Sequence, residues 1–218
     1  MTVENTQLGL SKASTTYGPF GYGSHAGEPV VEIFVSENDD KKMSVRGVDS
    51  MVSGYGWKRK LESGLARLQY SAENILSDEH EEGVVELSRI LGARFVDFEI
   101  GEKELNSRIP PRDIQNVSDY YRVFVPRGWD FDRDILEFYS NTTGSSDFIF
   151  KVDSYNDDEY IKEVSRDFGI RDYDVWLYPK GRKVKTVSGR MEMCQNLAKS
   201  NSWNVSPRLG VTLNYEEE

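Results

Sequence analysis

Apolar residues recur along this chain in two patterns, short runs typical of β-strands and a spacing of three or four residues typical of helices. The strand pattern is strongest in six runs, at residues 30–35, 95–100, 120–125, 148–152, 175–178 and 209–213. The helical spacing covers residues 84–91, 160–168 and 187–198, and the first two of these segments end at a glycine. Strands and helices therefore alternate over most of the chain.

This alternation predicts an α/β fold with a mostly parallel sheet, because parallel neighbours need a crossover connection that a helix supplies. The sheet is expected to be either open and doubly wound or curled into part of a barrel. Residues 37–42 carry an acidic run followed by two lysines, which predicts an exposed hairpin loop after the first strand. Residues 1–16 are polar and lack periodicity, so we expect an N-terminal tail. Residues 17–218 are expected to form one α/β domain.

Composition and charge narrow the class of protein. Hydrophobic residues make up 38 % of the chain and aromatic residues 12 %, which is enough to form a packed core. The net charge of −10 would repel phosphates, so we expect no nucleic acid partner. Neither a signal peptide nor a long apolar run is found, which predicts a soluble, cytoplasmic protein without membrane contact.

The chain contains a single cysteine, Cys194, on the apolar stripe of the last predicted helix. We expect it to be packed in the core. Asp78 and His80 belong to an acidic run that could bind a divalent cation. The same run also fits the N-terminus of a helix, where carboxylates are favoured by the helix dipole, and we prefer this interpretation.

Three segments in the C-terminal third carry a resemblance to a known family. They are residues 148–154, residues 174–181 with Val175-Trp176-Leu177-Tyr178-Pro179, and Trp203-Asn204-Val205-Ser206-Pro207-Arg208-Leu209. In order and spacing they resemble the end of 7-carboxy-7-deazaguanine synthase, a radical S-adenosylmethionine enzyme of 7-deazaguanine and queuosine biosynthesis. Weaker matches lie at Tyr17-Gly18-Pro19 and at Val125-Pro126-Arg127. The resemblance implies a partial, incomplete β/α barrel and a homodimer.

The departures from that family concern its ligand sites. Residues 36–50, where the family places the three cysteines of its iron–sulfur cluster, contain no cysteine. The Gly-Gly-Glu-Pro segment that holds the family's cofactor is replaced by residues 78–81, and its Gln-Gly-Glu-Gly segment by residues 22–25. A [4Fe–4S] cluster needs thiolate ligands, so we expect no cofactor and no radical chemistry. Asp49 and Ser50 match the family's Asp-Thr pair, which makes them weak metal candidates.

The first functional hypothesis is a catalytically inactive relative of the synthase that acts as a protein-binding or regulatory factor. Acidic charge and aromatic side chains suit a protein partner. The candidate anchors, which could equally be core residues, are Tyr22, Tyr55, Trp57 and Trp129.

Two alternatives remain open. One is a small-molecule binder for a purine- or pterin-like ligand, with Arg208 and Lys151 for anionic groups; the binding candidates are Arg208, Lys151, Arg127 and His25. The other is an enzyme of a new, non-radical reaction that uses the carboxylates of Asp78, Glu79 and Glu99. For Arg208 we also expect a structural role, with its guanidinium held by a carboxylate or by backbone carbonyls.

Overall fold

The computed structural model describes residues 23–25, 30–35, 43–46, 56–72, 78–142, 146–181 and 184–206. Contacts divide the chain into two compact units, one formed by Met1–Gly18 and Glu28–Tyr121 and the other by Pro19–Gly27 and Arg122–Glu218. The chain passes from the first unit to the second within a single strand, β5 (Tyr120–Val125).

The first unit contains four strands and three α-helices among its described residues. In chain order they are β1 (Val30–Val35), β2 (Met43–Arg46), α1 (Gly56–Ser63), β3 (Arg67–Ala72), α2 (Asp78–Leu91), β4 (Val96–Ile100) and α3 (Arg112–Val117). Strand β1 pairs with β3, and β3 with β4, in parallel. The edge strand β2 is antiparallel to β1, with Val35 opposite Met43, as the predicted hairpin requires.

Strands β3 and β4 have an apolar face and a polar face because alternate side chains point to opposite sides of a sheet. On the apolar face Tyr70 stacks on Phe98 with ring centroids 5.1 Å apart, and its hydroxyl lies 2.8 Å from the Ser88 hydroxyl of α2. On the polar face Arg67 donates two hydrogen bonds to Asp97, at 2.7 and 2.5 Å. This ion pair is buried, and each of its two charges compensates the other.

The second unit has the same alternation of strands and helices. After β5 come α4 (Arg133–Asn141), β6 (Ser146–Val152), α5 (Asp157–Asp167), β7 (Val175–Pro179), α6 (Val184–Asn201) and the two-residue β8 (Asn204–Val205). Strand β7 pairs in parallel with β6 and with β8. Buried residues Val175, Leu177 and Pro179 alternate with half-buried Trp176 and Tyr178 along β7.

The predicted α/β fold with a mostly parallel, incompletely closed sheet is confirmed: in each unit the strand order is open. The short strand β8 ends two residues before Pro207. Strand β3 and helices α1, α3 and α4 were not predicted from the sequence pattern. The predicted strand at residues 209–213 and the predicted tail at residues 1–16 lie outside the described residues.

Candidate functional site

The loop that follows β5 is held in one conformation by contacts from α5. The hydroxyl of Tyr160 lies 2.6 Å from the carbonyl oxygens of both Pro126 and Gly128, so it can donate to either. Arg127 forms an ion pair with Asp157 at 2.8 Å, and the Asp157 side chain is only 3 % exposed. Gly128 has a φ of 85°, which favours glycine at this turn. The loop is therefore fixed on both sides of Gly128.

This loop places Trp129 on a base of other aromatic rings. The Trp129 ring centroid lies 5.8 Å from that of Phe131, 6.0 Å from that of Tyr160 and 6.3 Å from that of Phe168. The guanidinium carbon of Arg133 lies 5.3 Å from the Trp129 centroid and 4.7 Å from the Phe168 centroid. We call these five residues the Trp129 cluster.

Exposure separates Trp129 from the residues beneath it. Its side chain is 41 % exposed, whereas Phe131 and Phe168 are 7 % and 8 % exposed. Ring pairs at such distances, together with a guanidinium over the indole, stabilise one orientation of the side chain. Trp129 thus presents part of a large apolar ring to solvent while its underside is packed, unlike the buried core residues beneath it.

A network of ion pairs lies beside this loop, at the carboxyl ends of β6 and β7. Asp153 accepts a hydrogen bond from Lys180 at 2.8 Å and forms an ion pair with Arg190 at 2.5 Å. The hydrogen bond from Lys180 and the charge of Arg190 hold the pKa of Asp153 below its ordinary value. Asp157 accepts from the backbone N–H groups of Asp153 and Ser154, which closes the turn between β6 and α5.

Lys151, one of the predicted binding residues, is exposed and is the next-to-last residue of β6. Its register partner on β7 is Tyr178, so both side chains lie on the same face of the sheet. The ring of Phe124 meets that of Tyr178 edge to face, with centroids 6.2 Å apart. Lys151 therefore stands next to two half-buried aromatic rings.

His25, another predicted binding residue, lies in the 3₁₀ turn Gly23–His25 near the start of β6. The backbone N–H and the hydroxyl of Ser24 both donate to Asp147, at 2.6 and 2.9 Å, and the N–H of Gly23 donates to the Ser206 hydroxyl at 3.2 Å. A Cβ atom at Gly23 would lie 2.0 Å from an oxygen of Asp147, so only glycine fits there. This segment has a structural role in attaching the turn to β6.

Two of the predicted binding residues, His25 and Lys151, lie at different positions along the length of β6. The turn that contains His25 is bonded to Asp147 of β6 through Ser24. Lys151 lies four residues further along β6, about 13 Å from Asp147 at the rise of an extended chain. Arg127 lies in the loop of the Trp129 cluster and pairs with Asp157. Arg208 lies outside the described residues, so its predicted role stays a prediction.

The metal candidates receive no structural description. Asp49 and Ser50 lie outside the described residues, as do the candidate anchors Tyr22 and Tyr55. Asp78 and His80 lie in the first turn of α2, where the helix interpretation placed them, but their side chains are not among those described. Within the described ranges, no group of three or more His, Cys, Asp or Glu side chains is arranged to bind a metal ion.

Cys194 is buried in α6, as its place on the apolar stripe predicts. Burial raises the pKa of its thiol to about 12. The thiol is therefore protonated at neutral pH and is not a nucleophile in the native chain.

Four members of the Trp129 cluster were not singled out from the sequence: Phe131, Arg133, Tyr160 and Phe168. Tyr160 and Phe168 were interpreted only as parts of a helical apolar stripe. A signal was present, because Trp129-Asp130-Phe131-Asp132 begins only four residues after the end of a predicted strand, and Asp132 has the residue type of a helix N-cap. That signal predicts a loop of aromatic residues between β5 and a helix.

Comparison with known proteins identifies no relative: no family model matches the chain, and neither a curated protein nor a solved structure is significantly similar to it. The resemblance to 7-carboxy-7-deazaguanine synthase thus rests on the sequence segments alone. In the ranges that the structure describes, no helix has the length and apolar composition needed to span a membrane.

Proposed function

We propose that this chain is a catalytically inactive relative of 7-carboxy-7-deazaguanine synthase that acts as a cytoplasmic protein-binding factor. The observation that carries the proposal is the exposed but ordered side chain of Trp129. The segments shared with the synthase support the relationship, and the open parallel sheet is compatible with the partial barrel of that family. The absence of cysteine from residues 36–50 supports the loss of its radical chemistry.

The Trp129 cluster has the composition of a protein-docking site. Tryptophan, tyrosine and arginine are the residues that contribute most to binding at protein interfaces. An exposed indole that is already held by three rings and a guanidinium loses little side-chain entropy when a partner covers it. The cluster would therefore contribute affinity both through apolar area and through its fixed geometry.

The proposal is tested by comparing three forms of the full chain as bait in extracts of the cells that produce it. The forms are the unmodified chain, Trp129→Ala and Tyr173→Ala. Tyr173 is the matched control, because it is 60 % exposed and also carries an arginine over its ring, with Arg171 at 4.4 Å.

We expect a partner that the unmodified chain and Tyr173→Ala retain and Trp129→Ala loses. With the purified partner, Trp129→Ala should weaken binding by at least about tenfold, which corresponds to about 1.4 kcal/mol. A partner retained equally by all three forms contradicts docking through Trp129. If the partner is a second copy of the chain, the oligomeric state of Trp129→Ala will change instead.

A second candidate function is supported by the face that Lys151 shares with Tyr178 and Phe124. Two half-buried rings beside an exposed ammonium group could stack a planar heterocycle and neutralise its anionic substituent. Calorimetry with 7-deazaguanine and with a pterin tests this alternative. Binding that Lys151→Ala weakens would favour it over protein docking, whereas no heat of binding with either compound would count against it.

A further inference from the structure

The exposed side chains around Trp129 are mostly acidic. Asp130 follows it directly, and the first two turns of α4 expose Asp134 and Glu137. Asp132 is also exposed, but it caps α4 by accepting from the N–H groups of Asp134 and Ile135. Four carboxylates thus lie within the eight residues that directly follow Trp129 in the chain.

The positive groups in this part of the surface are already committed to other contacts. Arg127 is paired with the buried carboxylate of Asp157. The guanidinium of Arg133 lies over the rings of Trp129 and Phe168, and it forms no ion pair with any residue that the structure describes. Arg133 keeps its positive charge in this contact, but the two guanidinium groups are outnumbered by the four carboxylates that follow Trp129 together with Asp157, so the charge of this part of the surface is negative, like the net charge of −10 of the whole chain.

From this juxtaposition we infer that the partner docks a basic segment on the Trp129 cluster, with an apolar or aromatic side chain against the indole and lysines or arginines beside Asp134 and Glu137. The inference rests on the proposed function and adds the chemistry of the partner to it.

Charge complementarity favours this occupant over the others. A second copy of the chain would bring a like charge of −10 to the same surface, and like charges facing each other across an interface oppose association. A phosphate-rich partner would be repelled for the same reason. A basic segment instead gains attraction at long range, which raises its association rate and makes binding dependent on salt.

The test uses a random dodecapeptide library displayed on phage and selected against the immobilised full-length chain. The strongest selected peptide is then synthesised, and its affinity is measured by fluorescence anisotropy at low and at high salt. Three variants are compared with the unmodified chain: Trp129→Ala, the double variant Asp134→Asn/Glu137→Gln, and the control Glu62→Gln/Glu86→Gln. The control also removes two negative charges, but from exposed positions on α1 and α2.

We expect selected peptides to carry lysine or arginine next to an apolar residue. Trp129→Ala should weaken binding of the synthetic peptide at least about tenfold. Asp134→Asn/Glu137→Gln should weaken it about three- to tenfold and reduce its dependence on salt, whereas the control variant should leave both properties nearly unchanged.

The possible failures are distinguishable. Peptides that are neutral or acidic, or whose binding depends on Trp129 but not on Asp134 and Glu137, overturn the basic partner and leave the docking surface in place. Basic peptides that bind all variants equally overturn docking at this surface. A library that yields no peptide displaced by the free chain counts against both the inference and protein binding itself.

Discussion

Replacing Tyr160 by phenylalanine removes one hydroxyl from the base of the Trp129 cluster and keeps the ring. The hydroxyl lies 2.6 Å from the carbonyl oxygens of Pro126 and Gly128, and burial raises the pKa of Tyr160 above its ordinary value. The variant loses one short hydrogen bond and leaves partly buried carbonyl oxygens without their donor. A lost hydrogen bond and an unsatisfied acceptor together should lower the free energy of unfolding by about 1–2 kcal/mol.

Urea denaturation followed by circular dichroism measures this change. Tyr155→Phe is the matched control, because Tyr155 is 56 % exposed and, among the residues that the structure describes, its hydroxyl takes part only in a long contact of 3.4 Å with Asn196. The control should change the free energy of unfolding by less than about 0.5 kcal/mol. If Tyr160→Phe is as stable as Tyr155→Phe, the hydroxyl does not hold the loop.

Limited proteolysis gives the local readout for the same variant. Trypsin can cleave after Arg127, which the ion pair with Asp157 and the hydrogen bond from Tyr160 protect in the unmodified chain. Tyr160→Phe should therefore be cleaved at Arg127 faster than the unmodified chain, as measured by mass spectrometry of the fragments. Equal cleavage rates would contradict the role of Tyr160 in ordering Trp129.

Three further predictions concern other parts of the molecule. Asp97→Ala removes the carboxylate that pairs with the buried guanidinium of Arg67 and should lower the free energy of unfolding by about 3–5 kcal/mol in urea denaturation; a loss below about 1 kcal/mol would contradict the buried ion pair. Cys194 should not react with a thiol reagent in the native chain and should react fully in guanidinium, because its pKa is raised to about 12; native reactivity would contradict its burial. The lowered pKa of Asp153 contributes stability above the ordinary aspartate pKa of about 3.9, and this is lost as pH falls through the lower folded value. The thermal unfolding temperature of Asp153→Asn should therefore decline less than that of the unmodified chain as pH falls below about 4. Parallel declines of the two unfolding temperatures would refute the linkage.

The sequence pattern predicted most of the elements that have one strongly apolar face. Strands β1 and β5 were predicted with their observed bounds, because each is a run of β-branched and aromatic residues. Strand β3 was missed because Arg67 and Gln69 alternate with Leu68 and Tyr70, so that half of its residues are polar. Arg67 pairs with the buried carboxylate of Asp97, 30 residues later, and no local sequence pattern predicts that pair.

The candidate site could be predicted only in part from the sequence. Trp129 and Arg127 were singled out for their residue types and for the resemblance to the synthase. The partners that give Trp129 its geometry are Tyr160 on α5 and Phe168 directly after it. Both lie more than 30 residues away from Trp129 and fit the helical stripe of an ordinary core. Contacts at such a separation depend on how α5 packs beside the loop after β5, which the linear pattern does not specify.

The central claim is that Trp129 docks a protein partner, and a covalent capture experiment tests it most directly. A benzophenone amino acid replaces Trp129 in one form of the full chain and Tyr173 in another, and both are irradiated in the cells that produce the protein. We predict a discrete protein adduct from position 129, displaced by excess unmodified chain but not by Trp129→Ala, and no such adduct from position 173. Adducts of equal yield and identity from both positions, or an adduct at 129 that Trp129→Ala displaces equally well, would contradict the claim.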